Sequence, residues 1–343
     1  MNVLSLFDGI SCGRLALERA GIKVDKYFAS EVDKYAIGIA QKNYSDNIQI
    51  GDVTKVKSTN LPKIDLLIGG SPCQGFSFAG KQLNFEDPRS KLFFEYVRLL
   101  NGCKPKYFLL ENVKMKKEYQ DIISEYLGVQ PIEINSSLVS AQNRKRIYWT
   151  NIPDITVPVD KGILLKDIIH ETTGDISIDD LGQYMVPFNK TLQILDKEVQ
   201  KGKVGYFGKD SQANRVYYIH GKAITLCGEA GGGAAKMGQY LFGCITPDRV
   251  NKCQNGQRFN EGDKFYTLTA QDRHGVLIEG YIRKLTPIEC ERLQTLPDNY
   301  TEGISNSQRY KCLGNGWTVD VITHILKNTG RCGDADASPT LGG

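Results

Sequence analysis

No stretch of the 343 residues sustains the roughly 18 to 20 consecutive apolar positions that a membrane-spanning helix needs, and the opening MNVLSLFDG lacks the basic segment that precedes a secretory leader. Membrane insertion and export are therefore not expected, and the cytoplasm is the expected address. CxxC pairs and Cys/His clusters are missing too. The nine cysteines are odd in number and scattered from Cys12 to Cys332, so neither a zinc site nor a disulfide framework is expected and the thiols read as reduced. Charge of one sign is scarce: 43 Lys and Arg against 39 Asp and Glu leave a net +4, which permits a nucleic-acid partner without requiring one.

What is present is a regular alternation in the first third. MNVLSLF, DKYFASE, IDLLIGG and PKYFLLENV read as strands; GRLALERAG, DKYAIGIAQKNY, SKLFFEYVRLLNG and KEYQDIISEYLG read as the helices between them. Strand–helix alternation of this kind predicts an α/β protein with a mostly parallel, doubly wound sheet. From about 151 to 280 the chain becomes rich in glycine, with short β-type runs such as RVYYIHG, AITLCG and FYTLTA, which predicts a smaller, mainly β or irregular second domain. Helical periodicity returns in TPIECERLQTL, where Thr286 suits the cap and Pro287 the first helical position, and in TVDVITHILKN. The tail from 329 to 343 is small and polar and reads as disordered, or as foreign to the natural protein.

LSLFDGISCG runs a strand into a glycine turn and then a helix, an arrangement that lets backbone N–H groups approach an anionic or polar ligand. The spacing Gly9-x-x-x-Gly13 is not the dinucleotide fingerprint. Glu31 ends the next strand, where a carboxylate can accept two ribose hydroxyls, and Asp52 in GDVT ends another short strand. Each acid alone is more often a solvated strand-end charge. Together with the acid of FDG they stand at successive strand ends, where ligands of open α/β sheets bind.

GGSPCQGFSFAGK raises the sharpest question. A free cysteine is usually a small buried hydrophobe. Cys73, however, follows Pro72 in a polar bend just past a strand end, a place for an activated thiolate. FLLENV puts Glu111 at another strand end, where a carboxyl group would be partly desolvated and available as a proton donor. QNRKRIYW carries Arg144 and Arg146, two apart and hence on one side of an extended segment: either a surface basic run or an anion-holding pair.

The ordered set LFDGISCG, SPCQGFSFAGK, ENV, QNRKRIY, RKLTPIECERLQTLPDNY and GNGWTVDV closely resembles the DNA (cytosine-5) methyltransferases, of bacterial or phage type. The resemblance covers roughly residues 1–150 and 281–326 and leaves the glycine-rich middle where that family keeps its variable target-recognition domain. Ser71-Pro72-Cys73 departs from the usual Pro-Pro-Cys, and Phe7-Asp8-Gly9 from the usual Phe-Ser-Gly; both variants are similar to the animal de novo branch. Ser90 stands where the family often has glycine.

The resemblance implies an S-adenosylmethionine-dependent enzyme, with S-adenosylhomocysteine as product, acting on double-stranded DNA as a monomer; a cognate restriction endonuclease would act separately. Residues 1–150 with 310–328 would form the catalytic, cofactor-binding domain. Residues 151–309 would form the target-recognition domain, with 281–309 as its returning segment. Cys73 would be the nucleophile, Glu111 would hold the cytosine, and Arg144, with Arg146 less directly, would steady the base and the carboxylate. Phe7, Gly9, Gly13, Glu31, Val32, Asp52, Val53, Pro72, Leu92 and Asn315 would hold the cofactor, with Trp317 as much a core residue as a ligand contact. Residues 76–85 would close over the DNA, with Ser77, Lys81 and Gln82 as contacts. Arg215, Lys236, Arg249, Arg258, Gln271 and Arg273 are candidates for base reading, since Arg pairs with guanine and Gln with adenine, although any one is more often a phosphate contact. Two rivals stand beside this reading: a tRNA methyltransferase of the same fold, and a catalytically silent DNA-binding protein, against which the presence of Cys73, Glu111 and Arg144 speaks.

Overall fold

The computed structural model describes residues 1–71, 91–170, 179–184, 192–194, 203–208, 215–219, 221–226, 239–242 and 281–329. Seven strands form the main sheet: β1 (Asn2–Leu6), β2 (Lys26–Ser30), β3 (Ile48–Gln49), β4 (Leu66–Gly69), β5 (Tyr107–Val113), β6 (Ile132–Asn135) and β7 (Lys145–Thr150). Their order is β3-β2-β1-β4-β5-β7-β6. Strands β3, β2, β1, β4 and β5 pair in parallel, whereas β7 runs antiparallel to both of its neighbours. The doubly wound, mostly parallel sheet expected from the alternation is therefore present.

Burial on both faces explains why the parallel strands are nearly continuous apolar runs. Their side chains alternate between two cores. Val3, Leu66, Ile68 and Leu109 point to one face, covered by helices α1 (Cys12–Arg19) and α2 (Lys34–Asn43). Leu4, Leu6, Leu67, Phe108 and Leu110 point to the other, covered by α3 (Lys91–Cys103) and α4 (Lys117–Leu127). Asp33 caps α2 by accepting from the Tyr35 amide, and Gly128 ends α4 in the left-handed conformation.

The C-terminal part adds α5 (Pro287–Leu293), α6 (Asn306–Asn315) and α7 (Val319–Leu326) to the first of those cores. Thr286 caps α5 in a full capping box with Glu289, and Pro287 takes the first helical position, as the sequence predicted. Two ties stitch this segment to the N-terminal turn region: Tyr300 Oη donates to the Ile10 carbonyl at 2.8 Å, and Arg19 pairs with Asp320 at 2.9 Å. In the main sheet and its C-terminal cover, helix α6 and strand β6 are elements that the periodicity did not reveal.

A second sheet gathers β8 (Leu192–Ile194), β9 (Lys203–Phe207), β10 (Arg215–Tyr218), β11 (Gln239–Phe242) and β12 (Tyr281–Arg283), in the order β12-β11-β10-β9-β8. All its pairs are antiparallel except β10 with β11. RVYYIHG thus supplies β10. AITLCG, read as a strand, contributes only a single bridge from Ala223 to Gln142 among the described residues. FYTLTA and the tail from 330 to 343 lie outside the described residues. Where β12 meets α5, Arg283 and Glu289 form a bidentate pair with both side chains fully buried, and the His170 amide donates to the same carboxylate. Among the described residues no helix is long and apolar enough to cross a membrane.

Candidate active site

Register fixes the site. Leu6 is paired with Ser30 on one side and with Gly69 on the other, and Gly69 is paired with Leu110. The next residues along these four parallel strands are Phe7, Glu31, Gly70 and Glu111, so they form one row at the carboxyl edge of the sheet. The order passes from β1 to its two opposite neighbours β2 and β4, which is the switch point where such sheets bind ligands.

On the β1–β2 side the row builds a cradle. Glu31 Oε2 accepts from the Gly9 amide at 2.8 Å, and its Oε1 accepts from the Val32 and Asp33 amides at 2.7 and 2.8 Å. One carboxylate thereby pins the turn after β1 to the end of β2. That turn is unusual: Phe7, Gly9 and Ser11 all have positive φ, at 56°, 60° and 60°. Gly9 suits such a φ, while Phe7 and Ser11 adopt it against their preference. Asp8 sits between them, its amide donating to the Ser30 carbonyl and its buried carboxyl accepting from Ser11 Oγ and from Tyr27 Oη at 2.7 Å. Burial pushes the Asp8 carboxyl up to about 6, against the lowering effect of these hydrogen bonds.

Gly13, expected in the turn, lies within the first turn of α1. A Cβ there would come within 2.4 Å of Ile68 Cδ1 and 3.4 Å of the Trp317 ring, so the residue is a glycine for close packing. Phe7 and Leu92 are half-buried against the opposite core, beneath α3 and α4, Val32 is 73% exposed, and Val53 is buried. Asp52 accepts from the Thr54 amide and hydroxyl, each at 2.9 Å, and the backbone N–H bond holds its carboxyl below the usual range. Asn315 is exposed at the end of α6. The carboxylates of Glu31 and Asp52, the half-buried Phe7 and Leu92 and the N–H-bearing turn are groups whose chemistry fits a cofactor that carries ribose, adenine and a cationic sulfonium.

On the β4–β5 side, Glu111 is 8% exposed. Its Oε1 is 2.9 Å from Arg146 Nε, and its Oε2 accepts from Trp317 Nε1 at 3.2 Å. Its neighbour Asn112 bridges across to Ser71, Nδ2 lying 3.4 Å from the hydroxyl and 3.5 Å from the carbonyl. The end of β4 is thus tied to the end of β5 immediately before Pro72 and Cys73 in the chain. Pro72, Cys73, Ser77, Lys81 and Gln82, with the rest of the segment 76–85, lie outside the described residues, as do Lys236, Arg249, Arg258, Gln271 and Arg273. Arg215 opens β10, half-buried and opposite Tyr206.

The two arginines separate rather than sharing one side. Strand β7 begins at Lys145, so the extended alternation does not reach back to Arg144. Arg146 meets Glu111. Arg144, 3% exposed, instead donates to the Leu226 carbonyl at 2.8 Å and to the Gly314 and Gly316 carbonyls at 3.0 Å each. Gln294 grips the same turn, its Nε2 donating to Leu313 O at 2.7 Å and Gly316 O at 3.2 Å. Arg144 and Gln294 therefore position the backbone that carries Asn315 and Trp317. Sequence reasoning passed over Gln294; its place in RLQTLPDNY offered no chemical signal.

The chain is similar to known proteins over nearly its whole length. The chain is 30% identical to "Orphan methyltransferase M.SPRI" of Bacillus phage SPR, over 95% of this chain and 97% of that protein. It is 29% identical to "Type II methyltransferase M.HhaI" of Haemophilus parahaemolyticus, over 96% and 94%. Among solved structures, the Entamoeba histolytica methyltransferase EhMeth superposes with a TM-score of 0.66 at 17% identity, over 96% of this chain and 97% of that one. A Spodoptera frugiperda DNMT2 variant gives 0.64 at 20%, over 95% and 98%, and these two likenesses establish the fold. The model of the C-5 cytosine-specific DNA methylase family matches residues 1–331, and with the strand-end row ending in Glu111 this makes the chain a member of that family, a DNA cytosine-5 methyltransferase.

Proposed function

We propose that this enzyme flips a cytosine out of duplex DNA at a specific short sequence and methylates it at C5 through a covalent bond between Cys73 and C6. The observation that carries this reading is Glu111, buried at the strand edge, paired with the half-buried Arg146 and joined through Asn112 to Ser71, two positions before Cys73 in the sequence. Cytosine C5 is a weak nucleophile within the aromatic ring. Addition of the Cys73 thiolate to C6 moves the C5–C6 π pair toward C5. Glu111 shares a proton with N3 and accepts from the 4-amino group, which neutralises charge developing on the ring. Arg146 fixes that carboxylate and faces the O2 side of the base. Phe7, the Gly9 turn, Glu31, Val32, Asp52 and Leu92 would hold S-adenosylmethionine, which when bound would supply the methyl group that C5 takes and would leave as S-adenosylhomocysteine. Loss of the C5 proton to a base then restores the C5–C6 double bond and expels the sulfur of Cys73.

A stacked base cannot reach such an edge, so extrusion is required, at a cost of a few kcal/mol. Residues 1–150 with 310–328 would do the chemistry, and residues 151–309, which include the second sheet, would read the sequence as a monomer on one site.

The test is incubation of the purified protein with genomic DNA and S-adenosylmethionine, followed by base-resolution mapping of 5-methylcytosine. Methylation confined to one short motif is expected, together with covalent trapping on a duplex carrying 5-fluorocytosine in that motif. No methylcytosine on DNA, with transfer to tRNA in a parallel reaction, would overturn the DNA substrate.

A further inference from the structure

Asp8 is a buried carboxyl that the chemistry above does not use. It lies between Phe7 and Gly9, where the backbone takes positive φ at Phe7, Gly9 and Ser11. Gly9 is free to do so, whereas Phe7 and Ser11 hold that conformation only because neighbouring contacts impose it. Ser11 shows which contacts these are. A serine at the start of a helix ordinarily turns its hydroxyl onto an amide of the first turn, but Ser11 makes no such bond to α1. Its Oγ instead donates to Asp8 Oδ2 and accepts from Asn47 Nδ2 at 3.0 Å.

From β2, Tyr27 Oη donates to Asp8 Oδ1 at 2.7 Å, and Ser5 of β1, 1% exposed, adds a third hydroxyl beside the carboxyl. Three hydroxyls turned on one carboxyl suit its charged form. An ionised carboxylate accepts from all of them, whereas a protonated one has to turn one of these bonds round. Burial and the nearby Glu31 work the other way and push the carboxyl up to about 6. At neutral pH the fold therefore carries a buried charge at a cost in stability, and that charge sits within the turn assigned to the cofactor. We propose that Asp8 is a positioning residue for the cofactor: its carboxylate, bonded to Ser11 and Tyr27, holds the strained Phe7–Ser11 turn in the shape that receives S-adenosylmethionine. This inference rests on the function proposed above.

A ligand that prefers the turn held by the charged carboxylate must displace the proton. Affinity therefore falls as the pH drops through about 6, and binding near that pH releases protons. The other groups that face Asp8 are Tyr27 and Glu31 from β2, Cys12 from α1 and Tyr300 from the C-terminal segment. Arg14 of α1 lies over the Tyr27 ring, 5.7 Å from its centroid. Burial pushes the Cys12 thiol up to about 12 and both tyrosine hydroxyls up as well, so all three stay neutral. Glu31 is the second carboxyl, and it is left in place in every variant so that its share cancels.

The probe is S-adenosylhomocysteine, titrated calorimetrically without DNA between pH 5 and 8, in buffers of different ionisation enthalpy. Wild type, Asp8→Asn, Ser11→Ala and Tyr27→Phe are compared. Wild type is expected to bind at least about threefold more weakly at pH 5 than at pH 8, and to release protons on binding near pH 6. Asp8→Asn keeps the shape and one accepting oxygen but cannot charge. It should bind about tenfold more weakly than wild type at pH 8, with no proton release and an affinity that is flat across the range. Ser11→Ala and Tyr27→Phe each remove one donor, so they should weaken binding and move the wild-type pH dependence upward. A residue that merely stabilised the fold would shift thermal midpoints and leave proton release untouched. Wild-type affinity that is flat with pH would overturn the proposal, as would Asp8→Asn binding as tightly as wild type at pH 8 or keeping its proton release. Should Asp8→Asn fail to fold, the wild-type and Tyr27→Phe isotherms decide the matter. Wild type that binds no S-adenosylhomocysteine at any pH would remove the cofactor reading and this inference with it, and is told apart because no isotherm appears at all.

Discussion

Arg146 and Glu111 are diagonal neighbours on one face of the antiparallel β5–β7 pair: Arg146 stands opposite Val113, two positions along from Glu111, and its Nε reaches Glu111 Oε1 at 2.9 Å. The contact is a product of strand register and not of a flexible loop. Replacing Arg146 by Gln removes the charge that aligns the carboxylate while leaving the strand intact. Single-turnover methylation should slow by about 10²–10⁴-fold, with the urea midpoint nearly unchanged.

Arg144→Gln should behave in the opposite way. Its guanidinium is buried among three carbonyls, so the variant forfeits charge-assisted hydrogen bonds and leaves acceptors unsatisfied. A loss of about 2–5 kcal/mol in urea unfolding is expected, large against a single-substitution norm of about 1 kcal/mol. If the two variants showed equal stability, the assignment of Arg144 to the Gly314–Gly316 turn would be wrong.

Cys73→Ala should abolish methyl transfer while duplex affinity stays within about tenfold, because the mechanism proposed above uses the thiol only in the chemistry. Gel shift and a tritium-transfer assay on the same preparation check both halves. Cys12 gives the contrast: burial pushes its thiol up to about 12, so it should resist iodoacetamide in the folded protein.

Gly13→Ala tests the packing role of that glycine. A methyl group 2.4 Å from Ile68 Cδ1 forces β4 or α1 to shift, which costs about 1–3 kcal/mol by overpacking. Because a shift of α1 also moves the Gly9 turn that leads into it, calorimetric affinity for S-adenosylhomocysteine should fall along with the thermal midpoint. A loss of stability with cofactor affinity intact would confine Gly13 to the core.

Asp8 gives a pH signature. Its folded-state value of about 6 lies above the ordinary 3.8, so the folded state takes up this proton more readily than the unfolded chain. The associated stability is present at low pH and is lost as pH rises through about 6; a difference of that size corresponds to about 3 kcal/mol. Asp8→Asn, which stays neutral, should be no less stable than wild type at pH 8, and its stability should vary less between pH 4 and 7. Unfolding midpoints across that range decide it, and a variant that loses most at pH 8 would contradict the assignment.

The parallel sheet was legible because its strands are apolar on both faces and are punctuated by helix signals that agree with them, down to the Thr286–Pro287 start of α5. The row at the strand ends was legible for the same reason: Glu31 and Glu111 are charges placed directly after buried runs. What escaped depends on where an element begins. Arg144 and Arg146 look equivalent until β7 is seen to start between them. Gly13 looks like part of a turn until α1 is seen to start at Cys12. The indole of Trp317 reaching Glu111 across 206 positions of sequence has no local signature at all.

That long reach bears on how the site is assembled. The turn after β1 is tied across 290 and 307 positions of sequence, Ile10 to Tyr300 and Ala16 to Thr323. The parallel sheet can pair without those contacts, but the strand-end row gains its cover only when α7 docks on α1. A chain with the sheet formed and α7 undocked should therefore lack methylation competence, so that activity is gained in one step with the closing of the fold.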